Sequence, residues 1–314
     1  MLAPSAFLAS SAATLPHQEA ILSASVAGAD DTAVSNIKTT WSCLAITTEP
    51  SDLSKHIQRA WDAPVITAAY NVLMSTSQSP VDLARFKAVV TPHAGDWLHA
   101  PPLTAIGLRL SDEAILVAIG YRLGTNICQP LTCVCGATVD ARGLHGLACR
   151  KSGPRHFRHS QLNDLIWRAV KKAQIPASKE PIGPSKADGK RPDGATLVLW
   201  TRGKPLAWDV TVPDTCAASH LQLTSTTSCA AAEKAAVKKT TKYVALAATH
   251  SFVPVANETS GAWCPQSAEF IENLGRRITT ITNEPLGTTY LYQRMSVTLQ
   301  RGNAVAFRNT FPES

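Results

Sequence analysis

The sequence predicts an α/β protein, and three observations carry that expectation. From Phe157 onward the patterns run helix, two strands, helix, strand, helix, the order of a layered fold around a small central sheet. Two short apolar runs, 195–200 and 206–212, flank a turn at Arg202-Gly203-Lys204 and read as a β-hairpin. Residues 1–125 instead hold Ala- and Leu-rich stretches separated by Pro, Ser, Asp and Gly, which read as mainly helical. The expected organisation is therefore a helical part (1–125), a Cys/His segment (126–154) and an α/β domain (155–314).

Taken in order, the helical stretches of the first part are 5–13, 18–27, 53–61, 65–74 and 81–90. Ser79-Pro80 predicts a helix start, with Ser79 as cap and Pro80 at the first helical position. Ser111-Asp112-Glu113-Ala114 predicts another, its acids favourably placed at the positive end of the helix dipole. The segment 126–154 is loop-rich, with Gly136, Gly143, Gly146 and Gly153 between its cysteines. From Phe157 to Ala173 the positions Leu162, Leu165, Ile166, Ala169, Val170 and Ala173 recur at helical spacing, decorated by Arg155, Arg158, Arg168, Lys171 and Lys172. A Pro/Gly-punctuated stretch (176–194) leads into the hairpin. An Ala/Lys helix (229–248), a strand (251–255), a loop (Asn257–Trp263), a helix (266–282) and a final basic helix (288–308) complete the reading.

At 314 residues, 45% hydrophobic and 17% charged, the chain is long enough for two domains, and wholesale disorder is excluded. Charge is unevenly placed: residues 1–125 carry a net −3 and residues 126–314 a net +10. The basic part is the one suited to a polyanion. Four of the eight cysteines fall within 128–149 and the others are scattered, which suits one metal site in a reducing compartment better than a disulfide framework. The opening Met1–Ser10 lacks the basic residues of a signal peptide, since the first Lys or Arg is Lys38, and Pro4 interrupts its apolar run. No stretch approaches the roughly 20 apolar residues of a membrane span. A soluble intracellular protein is expected.

Cys133-x-Cys135-x9-His145-x3-Cys149 offers three thiolates and an imidazole around a glycine-bearing loop, a donor set for structural Zn²⁺. Its Cys-x-Cys opening is tighter than usual, and Cys128 is an alternative member. The second candidate is the pair Asp193 and Asp209, one carboxylate near each mouth of the hairpin. Phosphodiester hydrolysis needs a cation that polarises the phosphate and activates water, and hard oxygen donors hold Mg²⁺. Asp209 is the one charged residue in an apolar strand, where an unpartnered carboxylate costs several kcal/mol, on the order of the buried-ion penalty. A lysine is still needed, and Val210 and Thr211 follow Asp209 instead. The next helix offers Lys239 and Lys242, three apart and expected on one face; a solvated lysine face is the alternative. Asp164 and Glu180 are candidates for a further acid.

Arg155-His156…Arg158-His159 heading a helix, then Gly189-Lys190-Arg191-Pro192-Asp193-Gly194, then Trp208-Asp209-Val210-Thr211, resemble the C-terminal region of non-LTR retrotransposon polyproteins. In that group a Cys-Cys-His-Cys knuckle precedes a restriction-like endonuclease of the PD-(D/E)xK superfamily. The resemblance covers about 130–250. It implies Mg²⁺ held by Asp193 and Asp209, with Lys239 or Lys242 beside them, Zn²⁺ held by Cys133, Cys135, His145 and Cys149, and nicking of target DNA to prime reverse transcription in the nucleus. DNA, and the element's RNA, are the implied partners, with Arg155, Arg158, His159, Lys171, Lys190 and Arg191 steering the backbone. Thr211 departs from the superfamily pattern, which places lysine there; in this group the lysine is often relocated to the next helix. His93–Leu98 and Gly120–Gly124 resemble the linker before the knuckle, which makes 1–125 a linker- or thumb-like region. No Tyr-x-Asp-Asp polymerase motif is visible, so the chain resembles a fragment of such an element. A catalytically inactive nucleic-acid-binding fragment is the alternative expectation.

Overall fold

The computed structural model describes residue 43 and residues 58–149, 154–181 and 191–311. The helices expected at 5–13 and 18–27, the first part of 53–61, and Lys190 lie outside the described residues. The chain divides into two compact units, Met1–Ser77 and Gln78–Ser314. In the first, helix α1 (Gln58–Thr76) carries Pro64 near its start.

The second unit is α/β. Helix α2 (Pro80–Val89) starts as its sequence dictates: Ser79 Oγ accepts the N–H of Asp82 at 3.3 Å, and Pro80 occupies the first turn. Helix α3 (Asp112–Leu123) is capped likewise by Ser111 on Ala114 N, and Gly124 ends it in the left-handed conformation. A two-stranded ribbon, β1 (Leu131–Thr132) and β2 (Thr138–Val139), and a single helical turn, α4 (His145–Ala148), make up the Cys/His segment.

The main sheet has the order β3-β4-β5-β6, with β3 (Ala177–Lys179), β4 (Gly194–Thr201), β5 (Lys204–Thr211) and β6 (Ser251–Ala256). β3 and β5 each pair antiparallel with β4, and β5 pairs parallel to β6. Arg202 and Gly203 both have positive φ, 51° and 70°, which suits the tight two-residue turn joining β4 to β5. Strand β3 lies inside the Pro/Gly-punctuated stretch 176–194, where the sequence pattern predicts no strand; at three residues it is too short to show alternation. Between β5 and β6 the chain crosses over through α6 (Ala218–Thr224), α7 (Ala230–Lys242) and a 3-10 turn, Val244–Ala248. That last turn closes what read as one helix over 229–248.

Helix α5 (Pro154–Lys172) precedes the sheet, and α8 (Pro265–Thr282) and α9 (Gly287–Arg308) follow it. Leu206, Trp208 and Val210 of β5 share one core with Leu162, Ile166 and Val170 of α5, Leu274 of α8 and Met295 and Leu299 of α9. Ala207 faces the other side, with Tyr243 and Leu246. The edge strand β6 accommodates Pro254, and Ser267 at the start of α8 donates to Pro254 O and accepts from Ala256 N.

Residues 78–125 do not stand apart from the rest of this unit. Val117 and Ala118 of α3 pack with Val297, Ala304 and Phe307 of α9, so the boundary expected at 125/126 is no break in packing. The His93–Leu98 segment docks on α9 as well: His93 stacks on Tyr292 at 3.6 Å, and Trp97 N donates to Ser296 Oγ. Among the described residues no helix is long and apolar enough to cross a membrane.

Candidate metal centres

In the Cys/His segment, the tight turn after β1 presents Cys133 and Cys135, with Gly136 at φ 88°, and α4 brings His145 and Cys149 against them. Cys133 Sγ lies 3.9 Å from Cys149 Sγ, and Cys135 Sγ lies 3.2 Å from His145 Nε2. All four donor atoms fall within 4.8 Å of one another. Donors at about 2.0–2.3 Å around a tetrahedral ion are separated by about 3.3–3.8 Å, so three thiols and an imidazole fit zinc here. Burial pushes the Cys133 thiol up to about 11, while the Ala137 N–H leads the groups that draw Cys135 down to about 6. Cys128 stands outside the set and points its thiol at the carbonyls of Asp140 and Ala141.

The second centre forms where four elements meet. Gly194 pairs with Trp208, a register that sets Asp193, just ahead of β4, opposite Asp209 in β5. Both carboxylates thus arise at one end of the hairpin. Asp209 is buried and shares its face with Ala207, the side covered by α7. On α7 the inward stripe runs Ala232, Ala236, Lys239 and on to Tyr243 just past its end, and Lys239 ion-pairs with Asp209. Lys242 is off that stripe. It is exposed, and its ammonium donates to the Tyr243 hydroxyl at 2.8 Å and stacks over that ring. Sharing a helix with Lys239 at a spacing of three was not enough to bring Lys242 to the acids. Glu258 steadies α7 by accepting the N–H groups of Ala231 and Ala232 at its N-terminus.

Asp193 is held by its neighbours. Its Oδ2 accepts from Val210 N at 2.6 Å, and its carbonyl accepts from Asn163 Nδ2 and Glu180 N, both at 3.1 Å. Asn163 also accepts from Trp208 Nε1 at 2.9 Å. Gly194 is required here, because a Cβ would run into the Trp208 ring. His159 of α5 approaches the same carboxylate, with Nε2 at 2.8 Å from Asp193 Oδ2. Chiefly through that contact, its imidazole is held above the usual histidine range. Donor atoms of His159, Asp193 and Asp209 all lie within 4.8 Å of one another.

Sequence reasoning assigned His159 to the DNA backbone; the structure puts it in the acidic centre. The available signal was its position four residues before Asn163, on the continuation of the buried stripe Asn163, Ile166, Val170. Arg158 also departs from the DNA-facing role expected of it. It is buried, donates to Asn303 Oδ1 and Leu147 O, and fits because Gly302 has no side chain. Lys171 is exposed over the Trp167 ring at 4.5 Å, and Arg191 is exposed beside the centre, its carbonyl accepting from Tyr243. Nothing is described of the Arg155 side chain or of Lys190. Asp164 pairs with Arg168 and Lys179, and Glu180 is exposed with its N–H on Asp193; neither supplies a donor to the cluster. No family model matches the chain, and no curated protein matches it.

Proposed function

We propose that this protein carries a Mg²⁺-dependent DNA endonuclease of the restriction-like, PD-(D/E)xK kind, derived from a non-LTR retrotransposon, which nicks target DNA in the nucleus to prime reverse transcription. One observation carries the reading: Asp193 and Asp209 converge at the mouth of one hairpin, with Lys239 on Asp209. The donor set suits a divalent cation, since both carboxylates are hard oxygen donors and a six-coordinate ion keeps positions for water and phosphate. When bound, the cation supplies Lewis-acid polarisation of the phosphate and a more acidic water. Asp193, fixed by Val210 N–H, and Asp209, fixed by its strand, orient the scissile group. Lys239 offsets charge that develops on the phosphate and orders the attacking water. Exposed Lys171 and Arg191, within the part that carries a net +10, meet the flanking DNA backbone. The Cys/His segment, loaded with Zn²⁺, braces the start of α5.

A second reading keeps binding to DNA or to the element's RNA without cleavage. The exposed cations favour it, because they act independently of the acid pair. Plasmid nicking in Mg²⁺ separates the two. Wild type cuts, while Asp193→Ala and Lys239→Ala lose cutting on the order of a hundredfold or more, and all three retain DNA. A folded wild-type chain that binds DNA without nicking it leaves only the binding reading.

A further inference from the structure

We propose that His159 is the third protein ligand of the Asp193/Asp209 centre and that its imidazole makes the site select Mn²⁺ over Mg²⁺. This rests on reading the two aspartates as a divalent-metal centre, and not on DNA cleavage.

Three observations converge. Helix α5 delivers Nε2 to within 2.8 Å of Asp193 Oδ2, and neighbouring donors of a six-coordinate ion at about 2.1 Å stand about 3 Å apart. The Asp209 carboxylate, from the central strand, lies within 4.8 Å of both donors. The His159 ring is not a free surface group: its side chain is 36% exposed, and its helix is locked one turn later by Asn163, which bonds both the Asp193 carbonyl and the Trp208 indole. The same hydrogen bonds that fix Asp193 therefore fix the helix that carries His159.

The chemistry of that donor set decides the ion. Mg²⁺ demands oxygen donors in near-ideal octahedral geometry and gives up water reluctantly, so replacing one oxygen by imidazole nitrogen weakens it. Mn²⁺, the first and weakest-binding ion of the divalent affinity order, shares Mg²⁺'s taste for carboxylates but takes an imidazole nitrogen and irregular angles more readily. Two carboxylates and one neutral imidazole bring a dication to net zero, and Lys239, paired with Asp209, adds the one positive charge of the centre.

The test uses the full chain, first given one equivalent of Zn²⁺ so that the knuckle thiols are occupied. MnCl₂ is then titrated and bound Mn²⁺ followed by electron paramagnetic resonance, with MgCl₂ as competitor. We expect one bound Mn²⁺ that Mg²⁺ displaces only at roughly tenfold or greater excess, with ¹⁴N coupling from a directly bound nitrogen. His159→Gln keeps an amide that bonds Asp193 but lacks the imidazole nitrogen. In that variant the ¹⁴N coupling should vanish and Mn²⁺ affinity fall by at least the 10–100-fold that outer-shell partners cost, with Mg²⁺ affinity falling less. Asp193→Ala should abolish the site. The assignment is overturned if Mn²⁺ binds without ¹⁴N coupling, if the coupling survives in His159→Gln or Asp193→Ala, or if no Mn²⁺ binds. Plasmid nicking is scored in parallel with each ion. Nitrogen-bound Mn²⁺ with no cutting defeats the nuclease and leaves His159 as a ligand; cutting in Mg²⁺ without nitrogen coupling does the reverse.

Discussion

Asp209 illustrates how much one buried charge demands of its surroundings. Its strand hides it, and Lys239 is the group that answers it. That demand was readable in the sequence, since a lone acid in an apolar strand needs a partner. Which lysine would answer was not, because the inward stripe of α7 depends on how the helix is rotated against β6. Glu258 poses the same problem with a different answer. Burial first of all pushes its carboxyl up, while the N–H groups it caps on α7 pull it back. Such a raised carboxyl contributes most to stability below about pH 4.3, the value of an unfolded glutamate, and loses that contribution as pH climbs through the folded value. Glu258→Gln keeps an accepting oxygen for Ala231 and Ala232 without the charge. Its melting temperature relative to wild type should therefore rise as pH goes from about 4.3 to neutrality and beyond; a pH-independent difference would place the carboxyl in contact with water.

At the scale of elements, the hairpin does most to build the centre. Its turn, its two apolar runs and the position of both acids near its mouths were legible, because a two-residue turn with Gly203 fixes register. The irregular pairing beyond Ala195 was not, and it lets Leu197, Val198 and Leu199 all lie exposed where alternation would bury every second one. Gly194 shows the precision of the result, since the Trp208 ring fills the space a side chain would need. Gly194→Ala should lower stability by about 1–3 kcal/mol, the range of overpacked cores, and weaken metal binding by tilting Asp193. Chemical denaturation together with Mn²⁺ titration checks both; an unchanged variant would mean that the indole moves aside without disturbing the acid.

For the whole unit 78–314, the central device is α9, which packs against α3, α5 and α8 and touches the Cys/His segment. Arg158 ties three of these parts together through Leu147 O and Asn303. An arginine in a basic stretch looks like a DNA contact from sequence alone, and only the facing Gly302 explains why it turns inward. The Cys/His cluster, by contrast, was legible from spacing, because its four donors lie within 17 residues and local turns suffice to gather them. Cys149→Ser should reduce bound zinc from about one per chain, the stoichiometry of a four-ligand site, and lower the melting transition of the sheet with it, since Leu147 sits in the same turn. Zinc content by atomic absorption, paired with calorimetry, tests the coupling; zinc retained at full occupancy would remove Cys149 from the ligand set.

The parallel pairing of β5 with β6 sets a timetable. The hairpin that carries Asp193 and Asp209 closes over a handful of residues, yet β6 reaches its place only after the chain has traversed 212–250. Closing so long a loop is the slow part of folding a small mixed sheet. Lys239 lies within that loop, so contact order predicts that the acids meet each other before the lysine reaches them. The two carboxylates are thus both in place in the chain by residue 209, whereas the lysine that answers Asp209 rides on a helix that packs against β6, the last strand of the sheet to be made.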